Sequence, residues 1–281
     1  VPELFAGTVQ NTGSVVENGM TVPIIQVTRG NAALKPERAK TYTAGIVVAP
    51  RVVPGLTMSV DYYQIDLKGV ISSLTPQLTL DQCLAGATSL CANILRNAAG
   101  QITRIESPTL NLNRLKTAGV DFEIGYRPAS PILGGRMAVR AVASYLEEQR
   151  QDISGGTSID RAGEVGLTAN PRWSATANVN WASGPFELFA QERFISAGTY
   201  DVTRSQPTTI ENNRVSPVFY TDATVSFRVQ KSFRLFFTAN NIFDRDPPLA
   251  PNGVLSTFTP TNPALYDIVG RQFTAGVNLN F

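Results

Sequence analysis

From Arg271 to the last residue, two kinds of side chain alternate without a break. Phe273, Ala275, Val277, Leu279 and Phe281 fall on one side, and Gln272, Thr274, Gly276, Asn278 and Asn280 on the other. Successive residues of a strand point to opposite faces, so this stretch predicts a strand with one apolar and one polar face. The same two-residue period recurs along the chain. In NPRWSATANVNW, Trp173, Ala175, Ala177, Val179 and Trp181 oppose Arg172, Ser174, Thr176, Asn178 and Asn180. A tryptophan near each end of one apolar face is what two membrane interfaces would select.

Further strands are read from the same pattern at 38–48, from Leu56 through the following IDLKGVIS, at 117–127, 136–145, 186–200, 219–229 and 233–239. The strand at 186–200 alternates less cleanly, because Phe189 and Ile195 share the face of Glu187, Gln191 and Arg193. Residues 1–37 read as irregular, with a short strand at Val22–Thr28 as their one regular piece. Residues 72–100 read as a loop with a helical insert from Leu78 to Asn97, followed by a strand at Gly100–Ser107. The sum is about nine long strands in a simple antiparallel meander. Connections near Pro50, Pro131, Ser183 and Lys231 are short, whereas those at 72–100, 149–163, 201–217 and 245–269 are long. Soluble sandwiches mix loop lengths without such order, while outer-membrane barrels put short turns on the periplasmic side and long loops outside.

Composition restricts the chemistry. No apolar run approaches the roughly 18 residues of a membrane-spanning helix, and a mean hydropathy of -0.03 is what a two-faced barrel strand averages to. A net charge of +2 implies no nucleic-acid partner. Histidine is absent, which removes the commonest general base and the commonest metal ligand. No catalytic residue, metal ligand or cofactor is expected. Asp81 with Glu106 is the nearest approach to an acid/base pair, and nothing in the sequence fixes their geometry. Cys83 and Cys91 are either free thiols or, in an oxidising compartment, a disulfide stapling a local loop. Arg136, Arg140, Asp121, Glu123, Asp222 and Arg228 fall on polar strand faces; they either line a substrate path or pair across strands in a hydrated interior. Tyr200, Phe258 and Tyr266 either grip a ligand or pack the loops. The first residues, VPELFAGTVQ, carry neither Met nor signal-peptide regions, so the expectation is a processed chain or a piece of a longer one.

Three stretches resemble the C-terminal part of a TonB-dependent outer-membrane receptor. GNAALKPERAKTYTAG is similar to a family segment through Asn31, Leu34, Lys35, Pro36, Glu37, Tyr42 and Gly45. TANNIFDRDPP is similar to another through Asn241, Ile242, Phe243 and Asp244. The closing strand carries Tyr266, Gly270, Arg271, Phe273, Gly276 and Phe281. The resemblance implies an incomplete, all-β wall of a transmembrane barrel, with residues 1–37 as an extracellular loop and 38–281 as strands and loops. Receptors of this kind have roughly 22 strands around a plug, and no plug is read here. As implied partners, the resemblance gives the outer-membrane lipid bilayer, the plug and remaining strands of the same protein, TonB through a preceding segment, and the barrel-assembly machinery. Phe273 and Phe281 would carry that machinery's recognition signal. The implied function is energised uptake of a scarce nutrient (a siderophore-bound iron, a cobalamin or an oligosaccharide), with the ligand unspecified. A passive porin or secretion-type barrel is the alternative, and a soluble carbohydrate-binding β-domain the second.

Overall fold

The computed structural model describes residues 2–153, 157–204, 210–251 and 259–279. In chain order the strands are β1 (Val9–Glu17), β2 (Met20–Arg29), β3 (Arg38–Val48), β4 (Leu56–Ser73), β5 (Ile94–Arg96), β6 (Ile102–Tyr126), β7 (Arg136–Ile153), β8 (Thr157–Asp160), β9 (Trp173–Ser183), β10 (Phe186–Ile195), β11 (Gly198–Thr199), β12 (Arg214–Val215), β13 (Val218–Gln230), β14 (Phe233–Asn240) and β15 (Gln272–Leu279). Helices α1 (Pro2–Phe5), α2 (Pro76–Leu84) and α3 (Thr88–Cys91) are short. Among the described residues no helix is long and apolar enough to cross a membrane. The chain forms two compact units, one of 1–40, 65–116 and 151–158, the other of 41–64, 117–150 and 159–281.

The larger unit is the meander. β3 pairs with β4, β4 with β6, and the order continues β6-β7-β9-β10-β13-β14-β15. The nine long strands therefore lie in chain order. β3 and β15 each pair with a single strand among the described residues, so the sheet is open at both edges. Register fixes which side chains share a face. Trp181 lies opposite Met137 and Leu188, and Leu188 opposite Val225. Val225 lies opposite Phe237, and Phe237 opposite Ala275. This apolar face is not covered: Phe219 is 52% and Phe273 63% exposed. Rings gather at its two ends. Trp173 packs on Tyr145 and Phe122, with centroids 4.9 and 5.9 Å apart, and Phe194 on Phe219 at 4.6 Å. Phe186 packs on Phe227 at 5.0 Å beside the short turns. One such turn is Gly184-Pro185, joining the paired Ser183 and Phe186; Gly184 has φ 54, as a tight hairpin requires at its first central residue. Trp181 donates its indole N–H to the Ile132 carbonyl at 2.9 Å, tying the β6–β7 turn to β9.

The smaller unit departs from expectation. Residues 1–37 are not irregular: β1 and β2 form a hairpin closed by Asn18 and Gly19 at φ 51 and 78, between paired Glu17 and Met20. Both turn residues take the left-handed conformation that a twisted two-residue hairpin loop demands. β2 then runs parallel to β6, and β5 pairs antiparallel with it. Val15, Ile24, Leu80, Ile102 and Ile105 form the buried core. The strand expected at Gly100–Ser107 and the one expected after Asn111 are a single strand, β6, of 25 residues. Its residues 104–108 lie beside β2, from Arg104 opposite Ile25 to Pro108 opposite Arg29. The helical insert is α2 and α3, with Thr75 capping α2 through its hydroxyl and Pro76 in the first turn. Asn111 accepts from the Lys35 amide and donates to the Lys35 and Gly69 carbonyls, while Glu37 accepts from the Ile71 amide. The Lys-Pro-Glu segment is thereby pinned to β4 and β6.

Candidate functional site

Three long connections of the larger unit meet at the end of the sheet opposite its short turns: 161–172, 196–217 and 241–271. Each is held by side chains that replace missing strand partners. Glu164, fully buried, receives both contacts of the Arg161 guanidinium at 2.7 and 2.8 Å and the Val202 amide at 2.8 Å. Asn262 donates to the Val165 and Thr168 carbonyls at 3.2 and 3.0 Å, joining the third connection to the first. Tyr200 donates to the Pro251 carbonyl at 2.7 Å, joining the second to the third. Beneath these contacts Val165, Ile195, Val215, Val218, Tyr220, Ala250 and Tyr266 form a buried core. Burial of these apolar side chains supplies the driving force, and the polar contacts dictate which loop meets which.

Charge in this cluster is accounted for locally. Asp201 accepts from the Thr203 hydroxyl and amide at 2.6 and 2.8 Å and pairs with Arg204 at 3.0 Å. Burial alone would push its carboxyl up; the Thr203 bonds together with Arg204 outweigh that and hold it below the usual range. The Tyr266 phenol is pushed up to about 12, first by burial and then by Tyr220. Its hydroxyl, like that of Thr261, is buried without a hydrogen-bond partner among the described residues. Tyr220 accepts the Asp267 amide at 3.2 Å, and Asn241 donates to Asp267 at 3.2 Å and to the Arg245 carbonyl at 3.1 Å. Above the core, Tyr200, Ile210, Arg214, Pro248, Leu249 and Pro251 line an open groove of about 500 Å³. Its tyrosine ring, prolines and the Arg214 guanidinium can hold a flat or anionic small molecule.

A family model described as "TonB dependent receptor-like, beta-barrel" matches residues 3–242. The chain belongs to this family. Solved receptor and transporter structures share its fold along most of the chain. The ferric enterobactin receptor PfeA from Pseudomonas aeruginosa, as a mutant, is 18% identical with a TM-score of 0.60, covering 92% of this chain and 33% of the receptor. The siderophore receptor PirA from Acinetobacter baumannii is 12% identical with a TM-score of 0.62, covering 98% and 36%. The outer-membrane transporter YddB from Escherichia coli is 10% identical with a TM-score of 0.58, covering 90% and 34%. The chain thus spans about a third of the length of these structures. No curated protein sequence matches it. This TonB-dependent receptor segment is a wall of an outer-membrane barrel, and its uncovered apolar face is the face such a wall turns to lipid.

The residues singled out in the sequence divide between wall and loops. Cys83 and Cys91 form a disulfide with Cα atoms 5.0 Å apart, linking α2 to α3. Phe273 sits on the apolar face of β15, stacked on Phe237 at 5.8 Å. Phe258 and Phe281 lie outside the described residues. On the polar face Arg140 pairs with Glu123 at 2.8 Å, and Arg228 pairs with Glu187. Asp222 accepts the Asn241 amide at 2.8 Å, at the end of β14. Asp121 and Arg136 are exposed. Asp81 accepts from Gln77, and Glu106 pairs with Arg29 and Arg104; each carboxylate has its own partner. Among the described residues no group of His, Cys, Asp and Glu side chains is placed to hold a metal ion. Glu164 and Asn262 escape sequence reading. Their partners are distant in the chain, and only the Arg161–Glu164 spacing offers a local signal.

Proposed function

We propose that this segment is barrel wall and outer loops of a receptor that imports a scarce nutrient across the outer membrane, with energy coupled through TonB. The observation that carries the reading is the meeting of three long connections over buried Glu164, which makes one ordered surface from loops that would otherwise move independently. The groove bounded by Tyr200, Arg214 and Pro251 lies on that surface. The siderophore class is favoured over cobalamin or oligosaccharide, because PirA is described as a siderophore receptor and PfeA as a ferric enterobactin receptor. Residues 1–37 belong to an outer loop in this reading, and the strands from 38 onward to the wall. TonB, a lumen-filling plug and the barrel-assembly machinery are the partners, and the segment has no catalytic role.

The test is uptake by cells with and without the full-length gene, and with and without TonB. Accumulation of radiolabelled iron from a ferric catecholate should fall to background on either deletion. Uptake that persists without TonB would favour a passive channel, and unchanged uptake of every siderophore offered would remove the siderophore assignment.

A further inference from the structure

The polar face of the larger unit carries a concentration of positive charge at its short-turn end that the loop site does not use. Arg127, Arg136, Arg234, Glu187, Asn180 and Ser226 line one groove of about 530 Å³. Among the described residues Glu187 is the groove's single carboxylate, and two guanidiniums already share it: Arg228 on one oxygen and Arg234 on the other, the latter at 2.8 Å. Arg127 and Arg136 make no ion pair with any described residue. Arg136 and Glu187 both lie opposite Ala182, one from each side, but the two Glu187 oxygens are already taken by Arg228 and Arg234.

Three guanidiniums thus line, with one carboxylate, a concave site that also includes short side chains such as Ala182 and Ser226. Like charges focused in such a cleft attract a counter-charge, and a guanidinium's planar fork matches the two oxygens of a carboxylate or phosphate. We infer that this groove is an anion site, in which Arg127 and Arg136 bind a carboxylate or phosphate group presented inside the barrel. The group comes either from an acidic side chain of the part of the protein that fills the lumen, or from a small anion. The inference rests on this face being the lumen side. A wrong reading of the face would appear as lipid-phase quenching at Ser226, a result separate from arginine reactivity.

Arginine modification by phenylglyoxal, read by peptide mass spectrometry on the full-length receptor, separates the cases. Arg51, exposed in the turn after β3, is the internal reference. Arg127 and Arg136 should react at least about fivefold more slowly than Arg51. If an acidic side chain of the protein is the ligand, they do so with nothing added. If a small anion is the ligand, they do so only when inorganic phosphate is supplied. In either case Arg136→Gln should raise the reactivity of Arg127, because the site loses half of its unpaired charge. Reaction of both arginines at the Arg51 rate with and without phosphate would overturn the inference, as would an Arg127 rate indifferent to Arg136→Gln.

Discussion

The Thr221 hydroxyl donates to the Glu192 carboxylate at 2.5 Å, on the apolar face of the wall. Glu192 lies opposite Ala177, midway along β9 between Trp173 and Trp181, and opposite Thr221 on β13. Where this face meets lipid, a carboxylate in that band gives up water, and Thr221 returns one hydrogen bond. Removing the donor alone leaves the carboxylate unsatisfied, whereas removing the carboxylate removes the cost. Thr221→Val should destabilise the full-length protein in lipid vesicles by about 1–3 kcal/mol. Glu192→Leu should leave stability unchanged or raise it by about 1–2 kcal/mol. Denaturant unfolding followed by tryptophan fluorescence measures both.

Glu164 joins two connections from a fully buried position, and Arg161, its partner, is 25% exposed on the side chain. Glu164→Ala strands the Val202 amide and leaves the guanidinium without its anion. The variant should keep the strand wall and lose the loop cluster, at a local cost of about 2–4 kcal/mol. Amide hydrogen exchange should rise at 199–204 and stay unchanged in β9 and β10.

Tyr266 gives the loop cluster an alkaline limit. Its folded pKa, about 12, stands above the reference value of 10.0. A raised value means that the folded state holds the proton more tightly. The contribution is therefore complete below pH 10 and is lost as pH climbs toward 12. Exchange in 241–251 and 259–271 should accelerate through that window in the native protein. Tyr266→Phe should remove the part of the acceleration that exceeds the base-catalysed rise common to all amides. Because the hydroxyl has no partner among the described residues, the substitution should cost no more than about 0.5 kcal/mol at neutral pH.

The Cys83–Cys91 link closes a short loop, eight residues in sequence separation. On chain-entropy grounds its reduction should lower the local stability of the α2–α3 segment by about 2–3 kcal/mol. Cleavage of 76–97 by a protease under native conditions should increase after reduction or Cys91→Ser. The larger unit, with its own core and no cysteine, should keep its resistance.

How far the sequence reveals the molecule follows from where the information lies. Alternation is a local property, so β9, β13 and β15 are legible residue by residue. β10 reads poorly because Phe189 and Ile195 take the polar face; Ile195 is buried in the loop core, where an apolar residue is needed. The β1–β2 hairpin carries its signal in Asn18-Gly19, but the polar strand around it hides the period of two. β6 is hidden by Pro108 and the asparagines after it, which look like a loop; Pro108 instead lies opposite Arg29 of β2, and Asn111 bonds Lys35 and Gly69. The loop cluster is the least legible part. Asn262 meets Val165 across 97 positions, and no periodicity or spacing connects them.

The central claim is that adjacent residues of one strand face different media. Val225 and Ser226 on β13 are the direct comparison, since Val225 pairs with Leu188 and Phe237 on the apolar face, and Ser226 with Glu187 and Phe236 on the polar one. Each is replaced singly by cysteine in the full-length protein, labelled with a small fluorophore and reconstituted in vesicles of brominated lipid. The account predicts strong quenching at 225 and little at 226, with a water-soluble quencher giving the reverse order. Equal lipid quenching at both positions, or stronger quenching at 226, would contradict it.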